Sequence, residues 1–117
     1  MGVDLQAAVP VVPVKDVKAA VAFYRDKLGF QQIFDMGNYA GVMRGPIELH
    51  LDGSGWGGGP VSVRINLAGV DDVHAEIAPK GIVMKDEPLE TKPWGMRQFS
   101  VLDPSGNRVT FAQNMGG

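Results

Sequence analysis

The chain has no cysteine, no excess of either charge and no apolar run approaching membrane-spanning length. Without cysteine, disulfides and thiolate metal sites are excluded outright, which fits a reducing compartment. The formal net charge is −2, with acidic and basic residues interspersed. No basic stripe points to nucleic acid, and no block of like charge points to a tail. The opening Met1-Gly2-Val3-Asp4-Leu5-Gln6 lacks the basic start and apolar core of a secretory leader. Gln6 stands where a myristoylation motif needs Ser or Thr. The expectation is a cytoplasmic protein with neither a nucleic-acid nor a membrane partner. A nucleophilic constellation is also missing, since Ser54, Ser62, Ser100 and Ser105 carry no motif that sets a histidine beside them.

What is present is a chain of 117 residues, enough for one domain with its own core, and an internal echo. A glycine-rich run, residues 53–59, separates a first module of about 8–52 from a second of about 60–114. Asp16-Val17-Lys18-Ala19-Ala20-Val21 matches Asp72-Val73-His74-Ala75-Glu76-Ile77. Gly45-Pro46-Ile47-Glu48-Leu49 resembles the stretch from Gly106 to Phe111. A period near half the chain implies a duplicated supersecondary unit.

Each unit reads strand, helix, then strands. Val9 to Val14 is β-branched, but Pro10 and Pro13 lack ladder donors, which places the strand at a sheet edge or in an exchanged position. Asp16 is expected to cap a helix whose apolar face is Val17, Ala20, Val21, Tyr24 and Leu28, ended by Gly29. In the second unit Val61, Val63, Ile65 and Leu67 alternate with polar residues, and Asp71 or Asp72 is expected to cap a short helix ended by Pro79 and Gly81. Gln98 to Leu102 and Arg108 to Gln113 flank the turn-rich Asp103-Pro104-Ser105-Gly106-Asn107. The predicted fold class is α+β, with a βαβββ unit twice. Phe23, Tyr24, Phe30 and Phe111 are assigned to the core. Gly53-Ser54-Gly55-Trp56-Gly57-Gly58 matches G-x-G-x-x-G, but Pro60 and a strand follow rather than a helix, so it reads as a linker.

Several of these segments together resemble the vicinal oxygen chelate superfamily, which includes glyoxalases, dioxygenases and bleomycin-resistance proteins. They are Val14-Lys15-Asp16-Val17, Ala22-Phe23-Tyr24-Arg25, Leu28-Gly29-Phe30, Pro93-Trp94-Gly95-Met96-Arg97 and Asp103 to Arg108. The resemblance covers most of the chain and is greatest to the bleomycin-resistance branch. It implies curled mixed sheets around a shared cavity, in a homodimer with exchanged N-terminal strands and ligand crevices at the interface.

Metal enzymes of that superfamily take ligands from equivalent strand positions. Here the resemblance puts those positions at Val9, at Glu48, at or beside Ile65, and at Thr110. Only Glu48 is a metal donor, and one carboxylate does not hold a divalent ion. His50 lies two residues away and faces the same way. The expectation is a metal-free protein with no cofactor. The same resemblance puts Phe34, Tyr39 and the Trp94-Gly95 pair beside a ligand crevice, where aromatic faces suit planar or cationic molecules. Met43 and Met96 read either as pliable lining of such a pocket or as gap-fillers, and Met96 is placed in the ligand-binding set. Arg64 and Asn66 stand where that branch often has tryptophan, and Arg64 disfavours a cationic tail. Glu48 and His50 could form a base with its partner, but with no second metal-slot residue they are read as a polar strand face in a wet cavity or at the dimer seam.

The function expected is binding and sequestration of a small aromatic or amphipathic molecule, as in bleomycin resistance. The alternative is a metal-dependent lyase, isomerase or dioxygenase of the same superfamily. The ligand-binding set is Phe34, Tyr39, Glu48, His50, Arg64, Asn66, Trp94, Gly95 and Met96.

Overall fold

The computed structural model describes residues 2–116. The first module runs β1 (Val11–Pro13), α1 (Val17–Asp26), β2 (Gln31–Asp35), β3 (Tyr39–Arg44) and β4 (Ile47–Asp52). Its strands lie in the order β1-β4-β3-β2, with β1 parallel to β4 and the other pairs antiparallel. The second runs β5 (Ser62–Asn66), α2 (Val70–Ile77), β6 (Glu90–Thr91), β7 (Met96–Leu102) and β8 (Arg108–Asn114). Its order is β5-β8-β7-β6, again with the first strand parallel to the last. The βαβββ unit therefore occurs twice, as the α+β reading requires.

Local chemistry sets most of the boundaries. Asp16 has extended backbone and its carboxylate accepts from the Ala19 N–H at 3.2 Å, which starts α1. Val17, Ala20, Val21 and Tyr24 form the buried stripe of that helix, and Leu28 follows them into the core. Gly29, at φ +75°, turns the chain into β2. The second helix differs from expectation. Neither Asp71 nor Asp72 caps it; its first flanking residue is Gly69, which has no side chain to offer. The free N–H groups of Gly69 and Val70 donate instead to the Gln113 side-chain oxygen, 2.9 Å from each. Both aspartates lie in the first turn, where their charge suits the helix dipole.

β1 lies at the edge of the first sheet, as its prolines demand. Within the single chain its pairing is internal, Val11 opposite His50 and Pro13 opposite Asp52. Residues 2–10 run on beyond it without regular structure, with Val3 and Leu5 exposed.

Each sheet carries its own helix on one face. Leu49, Leu51, Ala40 and Val42 are fully buried beneath α1, while Phe99 and Phe111 stack on each other beneath α2, with His74 edge-on to Phe99. Phe23 is only partly buried. The sheets neither close nor pack against each other among the described residues, so a single chain leaves the second face of each open. The shared cavity implied by the resemblance is thus not enclosed by one chain.

The modules are joined through the Asp103–Asn107 turn. The buried Asp103 carboxylate accepts from the Tyr24 hydroxyl of α1 at 2.9 Å, from the Asn107 amide and from the Ser105 and Asn107 N–H groups. The Asn107 amide also donates to the Pro13 carbonyl of β1 at 2.8 Å, and its oxygen accepts from the Val61 N–H. Burial, and then Asp103 beside it, push the Tyr24 hydroxyl well above the usual tyrosine range. A raised acid in the folded state means stability that is present below the ordinary tyrosine pKa of about 10 and is lost as pH rises beyond it. Tyr24→Phe should therefore cost about 2 kcal/mol at pH 8 through the lost bond to a carboxylate. Urea unfolding at pH 8 and pH 11 should show that gap narrowing at the higher pH. A gap unchanged between the two would refute the coupling.

Candidate functional site

The open face of the first sheet gathers an aromatic group with a carboxylate. Cross-strand register places Phe34, Gly41 and His50 in one row, Tyr39 with Asp52 in the next, and Met43 with Glu48 on the other side. A bulge between Gln32 and Phe34 decides the first of these rows. Without it, simple alternation would set Phe34 opposite Ala40, whose side chain faces α1. The extra residue turns the ring to the open face. Gly41 gives it a seat: a Cβ there would lie 2.2 Å from the Phe34 ring.

Phe34 and Tyr39 stack with centroids 6.1 Å apart, and His50 stands edge-on to both, at 5.1 and 5.4 Å. The Tyr39 hydroxyl is 2.8 Å from His50 Nδ1, and His50 Nε2 is 2.6 Å from Glu48. An ionised carboxylate only accepts, so Nε2 carries the proton and Nδ1 accepts from Tyr39 in the neutral imidazole. The ring is held at both nitrogens, and all four side chains are half-buried rather than packed away. Chemically, this face offers stacking surface, one anion and a short chain of groups able to hold or pass a proton.

The open face of the second sheet is different. Arg64, Thr110 and Ser100 share one row, and Asn66, Ala112 and Gln98 the next. Arg64 donates to Asn66 at 3.0 Å, and the two are exposed. Ser100 and Thr110 hydroxyls bond to each other at 2.7 Å. Below the 92–95 turn lies a cleft of about 290 Å³ lined by Trp94, Lys92, Gln98, Glu87 and Arg108, among others. The Ser100 side chain, then Arg108, hold the Glu87 carboxyl below its usual range against the opposing effect of burial. The side-chain oxygen of Gln98 is buried without a hydrogen-bond partner, the one such atom among the described residues. Sequence reading passed over Gln98; nothing local distinguishes it.

The structure thus brings Phe34, Tyr39, Glu48 and His50 together on one face. Arg64 and Asn66 lie on the other sheet, and Trp94, Gly95 and Met96 at its β7 end. Trp94 is 66% exposed, in a loop closed by the Gly95 N–H donating to the Lys92 carbonyl, and so is no core residue. Among the described residues no three His, Asp or Glu side chains converge as a metal site. Of the positions considered for metal, Val9 precedes β1 and Thr110 faces the open side. Ile65 points to the helix side, so Arg64 is the β5 residue that shares the Thr110 face.

A family model described as glyoxalase superfamily protein matches residues 1–117. The chain belongs to the glyoxalase superfamily. Among members of that superfamily, a bleomycin resistance protein of Geobacillus stearothermophilus is 30% identical over 127 residues, covering 92% of this chain and 96% of its own. The crystal structure of the bleomycin-binding protein of bleomycin-producing Streptomyces verticillus, complexed with copper(II)-bleomycin, is 33% identical. It superposes with a TM-score of 0.79, covering 99% of this chain and all of that one. A lactoylglutathione lyase from Agrobacterium tumefaciens shares the fold at a TM-score of 0.78 and 21% identity. The same fold is therefore found in a bleomycin-binding protein and in a lyase, and the side chains placed on a fold, not the fold itself, decide its role.

Gly41→Ala should displace the Phe34 ring, because no relaxed methyl fits 2.2 Å from it. The expected cost is about 1–3 kcal/mol in thermal or urea unfolding, the range for overpacking. Loss of the Phe34 ring-current shift on Tyr39 in NMR spectra should accompany it. An unperturbed Tyr39 signal would mean that Phe34 is not seated there.

Proposed function

We propose that the protein binds and sequesters a small planar aromatic or amphipathic molecule of the bleomycin type without transforming it. The observation that carries this is the Phe34–Tyr39–His50 face with Glu48. Three rings are gathered on a sheet face that no helix covers, where they contribute little to the core and are free to stack on a ligand. The relationship to the bleomycin resistance protein and the copper(II)-bleomycin complex supports the same reading. Trp94, Gly95 and Met96 supply a second aromatic wall, and Arg64 with Asn66 bias the charge preference. Glu48 and His50 make polar contacts. No metal or cofactor is required by this role, and the cytoplasm is where such a trap would intercept its ligand.

Because one chain leaves both sheet faces open, the working form is proposed to be a homodimer of single-domain chains. In it, face one of each copy meets face two of the other, and residues ahead of Asp16 contribute an arm. Light scattering at micromolar concentration should give the dimer mass, and removal of residues 1–15 should abolish it. A monomeric intact chain would rule out the shared crevice.

Ligand titration tests the binding role directly. Bleomycin and a phenazine should quench tryptophan emission saturably, and Trp94→Ala should weaken binding about tenfold or more, combining a stacking contact with lost apolar burial. Its melting temperature should stay near that of the parent. Unchanged affinity with collapsed stability would instead make Trp94 a structural residue.

A further inference from the structure

We propose that Trp56 is an additional binding residue, a mobile aromatic wall that closes over a flat ring system seated on Phe34 and Tyr39. The proposal rests on the binding role given above and deepens it. Trp56 is 92% exposed, so its indole serves no packing purpose in the chain as it stands. It sits in the segment joining the modules, with glycines at 53, 55, 57, 58 and 59. Gly55 and Gly58 both hold positive φ, +82° and +76°, and a Cβ at either would meet nothing within 4 Å. The segment around Trp56 is thus easily swung, whereas its foot is fixed.

That foot is set beside the aromatic face. Asp52 accepts from the Ser54 N–H at 2.8 Å, and the Ser54 hydroxyl accepts from the Trp56 N–H at 3.1 Å. A Cβ built on Gly53 would lie 2.1 Å from the Asn38 side-chain oxygen, so the chain leaves β4 hard against the β2–β3 turn. Gly57 returns onto the Pro13 ring, with its Cβ position 3.5 Å away. Pro13, Asp52 and Tyr39 form one cross-strand row, on the same face as His50 and Phe34. With strands about 4.8 Å apart, Pro13 stands only about 10 Å from Tyr39. The indole is therefore tethered at the margin of the stacked pair. A planar heteroaromatic ligand would lie between the two, bounded below by Phe34 and Tyr39 and above by Trp56. Ligands lacking a flat ring system would gain nothing from it.

The test uses the full chain with bleomycin and phenazine as probes. Trp56→Ala should weaken both by about tenfold in calorimetric titration, Trp56→Phe should stay within about threefold of the parent, and neither should lower the melting temperature. In Trp94→Phe protein, where Trp56 is the remaining indole, emission should be quenched at saturation with either probe. Parent-like affinity of Trp56→Ala, or an indole unmoved at saturation, overturns the proposal. If the parent binds neither probe, the binding role itself fails and this inference falls with it. That outcome is distinct from a parent that binds and a Trp56→Ala variant that binds equally.

Discussion

The fold depends on one buried carboxylate. Asp103 satisfies its own turn through two backbone N–H groups, takes a hydroxyl from α1, and takes an amide that simultaneously holds the β1 carbonyl. Without it, three polar groups from two modules would be buried with too few partners, each at a cost of about 1–3 kcal/mol. The sheets do not pack face to face, and the other buried constraint on their relative placement is the apolar cluster that runs through both modules. The remaining polar ties are more exposed: Arg44 reaches the Glu76 carboxylate, Lys80 reaches the Asp26 carbonyl, and the Lys15 N–H donates to the Ser105 hydroxyl. Such exposed pairs contribute little each. The buried turn, together with the shared apolar cluster, thus holds the angle at which the two open faces are presented.

Those faces are unlike in chemistry, although they descend from the same unit. The first has three rings and a carboxylate held to an imidazole; the second has a guanidinium, an amide and paired hydroxyls. A doubled scaffold with unlike open faces lets one chain present two kinds of surface. Stacking and ion recognition can then be tuned on separate strands without disturbing either core, because alternation keeps core and wall residues on opposite sides of the same strand.

Much of this was legible in the sequence where the determinant is local. The α1 stripe, its Asp16 cap, Gly29 and Gly81 as stops, and the polar–apolar alternation of β5 all follow from neighbouring residues and were read as such. The repeat implies the doubled unit, whereas the place of Phe34 and Tyr39 beside an expected crevice comes from the family resemblance. What escaped depends on distant partners. The α2 cap comes from Gln113, 43 and 44 residues away from the groups it accepts from, whereas the local signal points to Asp71 and Asp72. Phe34 faces outward only because of a bulge that no residue type announces. Tyr24 reads as a core ring and Asp103 as part of a turn; both are, but their mutual bond spans 79 residues. Gln98 gave no signal at all.

The parallel pairing of first and last strands in each module bears on how the chain reaches this state. β1 cannot be matched until β4 exists, a separation of 39 residues between Val11 and His50, and β5 waits for β8, 46 residues on from Ser62 to Arg108. Such non-local closure raises contact order and slows folding, since loop entropy is lost before the pairing rewards it. The antiparallel β2–β3–β4 and β7–β8 hairpins are local and can form first. During synthesis the first module can complete its sheet alone, while the Asp103 bond to Tyr24 must wait for nearly the whole chain. Hydrogen exchange would then find the edge strands β1 and β5 protected last.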